Sequence, residues 1–339
     1  GLYVHANNRS QKFDRNNDSF LDMPLSRQLN IMNRWQYSNL QKGLISFLNV
    51  RYLTDEKQAG QLDFDPETDQ LSNTVWGSEI TTKRFEVSGK FGYVNPEIPY
   101  QSLGLQLSYS DHEQMSYFGL NQYDIHHKSV YSNLVYNSII SDSRHKIKTG
   151  LNATYDDYSE TVNSDLYDRN ERSIGGFFEY SFDNLEALNL TAGIRMDHHN
   201  LLGTFITPRL HARYTPWEKS ALRVSFGRGK RAANIFAENQ KLFATSRAIN
   251  IQSTGGNIYG LEPEIAWNYG VSFLQGFKLF DRKADLTLDF YRTDFQNQVV
   301  VDYENPYEVN FYNLEGSSFA NSFQAEFSLN ILERLDLKT

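Results

Sequence analysis

Residues 14–22, DRNNDSFLD, place an acid or amide at Asp14, Asn16 and Asp18 and close with Asp22. Oxygen-bearing side chains at alternate positions of a short loop can wrap a hard cation such as Ca2+. In such a set Asp14, Asn16 and Asp18 ligate through side chains, Phe20 through its carbonyl, and Asp22 directly or through water. Two departures from the EF-hand pattern weaken it: Ser19 stands at the turn glycine and Leu25 at the bidentate glutamate. The expectation is a structural calcium brace and not a sensor. The competing reading is a metal-free polar loop closed by Asx-turns.

Histidines form a second group. His112, His126, His127, His198 and His199 fall near Asp111, Asp124 and Asp197, and imidazole with carboxylate is transition-metal chemistry. Adjacent residues on a strand point to opposite faces, so neither His-His pair can chelate by itself. A solvated rim is the better account of them. Catalysis finds no footing. Gly227-Arg-Gly-Lys230 lacks the spacing of a phosphate loop, and no nucleophile-elbow string occurs. With no cysteine, thiol catalysis and thiolate metal sites are also excluded.

The elements that must carry these residues are strands. In Leu188–Asp197, the residues Leu188, Leu190, Ala192, Ile194 and Met196 alternate with Asn189, Thr191, Gly193, Arg195 and Asp197. The stretches 323–331 and 146–155 repeat the pattern, as do 103–109, 222–226, 269–273 and 286–290. Strict alternation marks a strand with one apolar and one wet face, and no sustained 3.6-residue stripe competes with it. The fold class is all-β. Apolar runs fall well short of the ~18 residues of a spanning helix. A net charge of −8 and a pI near 5.5 argue against a nucleic-acid partner.

Alternating runs of roughly 9–14 residues exceed the ~5–6 of soluble strands and match the ~9–11 that cross a bilayer. The wet face carries full charges mid-strand at Lys90, Lys148, Glu179, Arg195, Arg223 and Glu326. Short links at 95–100, 141–145, 183–186, 216–219, 281–284 and 332–335 alternate with long polar ones. The long links are 54–76, 111–124, 156–170, 230–262 and 294–318, with a shorter one near 198–204. Short turns on one side and long loops on the other describe an antiparallel transmembrane β-barrel. About thirteen strands and a stub at 336–339 follow. Residues 1–26 read as an extracellular loop holding the calcium candidate, and 27–339 as a partial barrel. Tyr37, Tyr93, Trp217, Phe277 and Phe280 at the short turns are expected at one lipid–water interface. Trp76, Tyr117, Phe118, Tyr158 and Tyr291 are expected at the other.

Several strings resemble the barrel of TonB-dependent outer-membrane receptors, in the style of Bacteroidetes members. They are Gly193-x-Arg195-x-Asp197, TPRL (207–210), FGRGKRAAN (226–234) with Glu238 and Ser246-Arg247, GLEPEIAWNYGVSF (260–273) and DFYRTDFQNQVV (289–300). The resemblance spans about 27–339. It implies a segment of a twenty-two-stranded barrel in a Gram-negative outer membrane, surrounded by lipid. It further implies binding and TonB-driven uptake of a scarce nutrient such as a ferric siderophore, without chemistry. The plug domain through which the TonB complex would act is not among these residues. On this reading Arg231, Asn234, Glu238 and Arg247 in the longest loop suit an anionic chelate. The alternative is that they hold the loop down. A soluble β-sandwich binding protein and a passive porin-type channel are the rival functions.

Overall fold

The computed structural model describes residues 1–339. The first strands are β1 (Leu2–Arg9), β2 (Leu25–Asn39), β3 (Leu44–Gly60), β4 (Gly77–Val94), β5 (Ser102–Phe118) and β6 (Asn121–Ile140). They continue with β7 (Asp142–Val162), β8 (Asp165–Leu166), β9 (Arg169–Asp183), β10 (Leu188–His199), β11 (Gly203–Tyr214) and β12 (Ser220–Arg231). A 3₁₀ segment, Ala237–Ala244, precedes β13 (Ala248–Ile251), β14 (Glu264–Leu279) and β15 (Arg282–Asn297). The last are β16 (Val299–Asp302), β17 (Glu308–Asn313), β18 (Ser318–Leu332) and β19 (Leu335–Lys338). One antiparallel ladder runs from β1 to β19 in chain order, omitting only β13, β16 and β17 and carrying β8 as an appendage of β7. Its two ends do not pair with each other, so the sheet stays open.

Chain reversals on the short-turn side are as tight as the sequence suggests. Ser141 alone links β6 to β7 with φ 67°, and Phe280 and Asp281 both take positive φ between β14 and β15. On the other side the outcome differs. Strands continue far into the segments expected as loops, and β6 and β7 reach 20 and 21 residues. The expected loop 111–124 is in fact the tip of a hairpin closed by Gly119 and Leu120, with Gly119 at φ 59°. Residues 54–60 and 156–162 are likewise strand. Polar composition marks where a strand meets water, not where it stops pairing, so ladder hydrogen bonds carry the strands beyond the membrane.

The first 26 residues also differ from expectation. Leu2–Arg9 forms β1, paired in register with β2 from Leu2↔Asn33 to Arg9↔Ser26. The loop therefore begins after Arg9.

Alternation puts apolar side chains on one face, where they stay exposed: Leu151 at 62%, Ile174 at 63% and Met196 at 56%. In water each would forfeit about 1.5–3 kcal/mol of burial, which a hydrocarbon environment supplies. Tyr37, Tyr93, Trp217, Phe277 and Phe280 are exposed beside the short turns, as an interfacial belt requires. The expected outer belt is largely elsewhere. Tyr117 is buried on Glu79, Phe118 stacks on Phe243, and Tyr158 lies 3.8 Å under the Arg169 guanidinium. Trp76 packs on Phe20. Long loops fold back, so these rings find protein and not lipid.

The opposite face carries the charges. Arg51 and Arg84 share Glu86 at 3.2 and 2.7 Å, Lys148 and Arg209 share Glu179, and Arg195 holds Asp197 at 2.7 Å. Mid-strand charge is tolerable because this face turns to a wet lumen.

Candidate functional site

Beyond the membrane band the long connections pack into one body over the inner face. The connection from β12 to β14 contributes Ala233, Ile235, Phe236, Leu242, Phe243 and Leu261 to a core that Tyr123, Val162, Val309 and Phe311 complete. Phe243 stacks on Tyr123 at 5.0 Å, and Phe236 meets the Tyr259 ring edge-on at 5.4 Å. Such ring pairs add about 0.5–1.5 kcal/mol each beyond area burial. A small sheet joins two connections: β13 runs parallel to β17, and β17 antiparallel to β16. Asn121, at the β5–β6 tip, donates to the carbonyls of Phe243 and Thr245 at 2.8 and 2.7 Å. Lys230 and Asn257 donate to the carbonyls of Leu202 and Leu201.

The hub of this body is Arg169. Its side chain is 7% exposed and its partner Glu160 is wholly buried. The guanidinium donates to Glu160 at 3.0 Å, Glu171 at 2.8 Å, the Tyr259 hydroxyl at 3.0 Å and the Asn234 side-chain oxygen at 2.6 Å. It lies between the faces of Tyr158 and Tyr259. Tyr123 and Tyr259 both donate their hydroxyls to Glu160. A buried carboxylate needs this saturation, because an unpaired one would cost several kcal/mol. Burial alone would lower the arginine's proton affinity, but Tyr259, Glu171 and Glu160 outweigh it and hold the charge above its ordinary pKa. Burial would raise Glu171, yet His199 at 3.2 Å and Arg169 bring its pKa below the ordinary value. Wall strands β7 and β9 thereby grip the loop at Asn234 and Tyr259.

The residues expected to meet ligand divide in two. Arg231 donates to Glu264 at 2.6 Å and to both oxygens of Glu238, while Glu238 also accepts the Asn234 amide at 3.2 Å. Arg231, Asn234 and Glu238 thus bind one another, the wall and the hub. The Arg247 guanidinium enters no ion pair, and only its backbone amide is bonded, to Thr245. No local pattern marks Arg169, Glu160 or Tyr259. Each is a lone polar residue in a polar stretch, and their association spans up to 99 positions.

In the 14–22 loop the carboxylates face backbone amides. Asp14 accepts from Asp18 and Ser19 at 3.2 and 3.0 Å, Asp18 from Phe20 at 2.8 Å, and Asp22 from Arg15 at 2.9 Å. Asn17 and Ser19 adopt positive φ. These bonds shape the loop, and each carboxylate keeps further lone pairs beyond the ones they use. The histidine pairs split across the sheet as alternation requires. His126 meets Asp111 at 2.7 Å, while His127 meets Asp156 at 2.9 Å on the inner face. His198 bonds Thr204, whereas His199 reaches Glu171.

Comparison with known proteins agrees with this architecture. Residues 3–330 match the family described as TonB dependent receptor-like, beta-barrel. Sequence comparison with curated proteins finds no match. Among solved structures, the alcaligin outer-membrane receptor FauA of Bordetella pertussis aligns with TM-score 0.62 and 14% identity, over 92% of this chain and 52% of that one. A mutant ferric enterobactin receptor of Pseudomonas aeruginosa, solved with enterobactin, aligns with TM-score 0.66 and 12% identity, over 98% and 54%. The hemophore receptor HasR of Serratia marcescens, solved with its hemophore and heme, gives 0.59 and 13%, over 91% and 52%. The chain spans about half the length of these receptors.

Proposed function

Because this chain belongs to the TonB-dependent receptor β-barrel family, we propose that it forms part of the wall and mouth of a nutrient receptor in a Gram-negative outer membrane. The observation that carries this reading is the loop body anchored by Arg169 over the charged inner face of a lipid-facing sheet. A mouth held this way presents a preformed surface to a ligand, and binding there needs no reacting group. Structural relatives that include alcaligin and enterobactin receptors favour an iron chelate as the ligand. Such chelates are anionic, which suits Arg247, the loop guanidinium with no carboxylate partner. In this reading Arg231, Asn234 and Glu238 shape the loop, and import draws energy from the TonB complex through the rest of the receptor.

The test is uptake of a panel of radiolabelled ferric siderophores by cells carrying the full-length receptor. Uptake should require the receptor, and it should collapse when the proton-motive force is dissipated. Solute passage that persists without that force would instead indicate a passive channel. Arg247→Ala should weaken capture at the cell surface while leaving receptor abundance unchanged.

A further inference from the structure

Most inner-face arginines have a carboxylate: Arg209 has Glu179, Arg195 has Asp197, and Arg51 and Arg84 have Glu86. Arg213 and Arg223 do not. They stand directly opposite each other in the β11–β12 register, with His211 opposite Ser225 on the same face. Like charges at directly opposed positions destabilise a sheet. Around them lies a cavity of about 520 Å³, lined also by Asn189, Ser225 and Ser272, and its lining holds no carboxylate. Two acids flank it. Asp183 is engaged with the Leu185 amide and the Asn189 side chain at 2.8 and 3.2 Å. Asp289 lies one strand further on, opposite Ser272, and forms no ion pair.

We propose that this cavity, on the lumen wall towards the short-turn end, binds a multiply charged oxyanion. Two guanidinium forks offer paired N–H donors that match phosphate or carboxylate geometry. The hydroxyls of Ser225 and Ser272 and the Asn189 amide add neutral donors on the same face. A bound anion would offset the Arg213–Arg223 repulsion. This site is remote from the loop body and independent of which nutrient the mouth takes.

The experiment is calorimetric titration of the detergent-solubilised full-length receptor with inorganic phosphate at low ionic strength, with chloride as the control anion. Saturable phosphate binding is expected. Each arginine-to-glutamine change should weaken it about tenfold or more, and Arg213→Gln with Arg223→Gln should abolish it. The double Arg→Lys variant keeps the charge but loses the paired N–H donors, so it should bind more weakly than the parent and more tightly than the double glutamine variant. The double glutamine variant should melt no earlier than the parent, because a repulsion has been removed. Absence of saturable binding in the parent, or equal affinity in the glutamine variant, would overturn the proposal. So would an earlier melt of that variant, which would mean the arginines serve a structural partner. Siderophore uptake measured alongside keeps this outcome separate from that of the receptor reading.

Discussion

Arg169 shows how one residue can decide the state of a mouth. It joins β7, β9 and the β12–β14 connection through four acceptors, and its removal leaves Glu160 buried and short of a cation. Breaking a buried pair on one side costs about 3–5 kcal/mol. Arg169→Ala should therefore free residues 232–263, read as faster amide exchange there than in β14. Glu171 adds a pH dependence. Its folded pKa lies below its ordinary 4.5, so its stabilising contribution is complete above that value and is lost as pH falls below it. Protection of the loop amides, taken relative to their intrinsic exchange rates at each pH, should fall on acidification through this range, and Glu171→Gln should flatten the response. Protection that stays independent of pH in the parent would remove Glu171 from the lock.

At the level of elements, alternation assigns each strand residue to lipid or lumen, and the two faces should respond oppositely to the same change. Ile194 is half exposed on the lipid face, whereas Asn133 bonds Gln106 on the inner wall. Ile194→Arg should lower folding stability in a bilayer by about 2–4 kcal/mol, the cost of a cation near mid-membrane. Asn133→Arg should cost little. Denaturant titration in lipid vesicles distinguishes the two. Beside the thirteen strands and the terminal stub that alternation gives, the ladder gains β1, whose Leu2, Val4 and Ala6 are set between polar residues. Pairing with β2 makes it a strand.

Over residues 1–339 the ladder has two edges, β1 and β19. An exposed edge offers free N–H and C=O groups to any passing strand. Residues 1–339 expressed alone should therefore self-associate in detergent, whereas the complete receptor should run as a discrete species. A monodisperse, folded 1–339 would show that these edges are covered in some other way.

What the sequence alone determined is what depends on neighbours one or two positions apart. Strand periodicity, the lipid and lumen faces, tight turns against long connections, and the split of His126 from His127 all follow from local alternation. Family motifs such as FGRGKRAAN add the barrel type. Only the tertiary structure decided the rest. It showed that polar loop segments continue as strands, and that Trp76 and Tyr117 are covered by the connection residues Phe20 and Phe64. It also showed that Asp14 and Asp18 hold backbone amides, and that Arg169 meets Asn234 and Tyr259. Each of these contacts depends on where folded connections come to rest, and no local period encodes that.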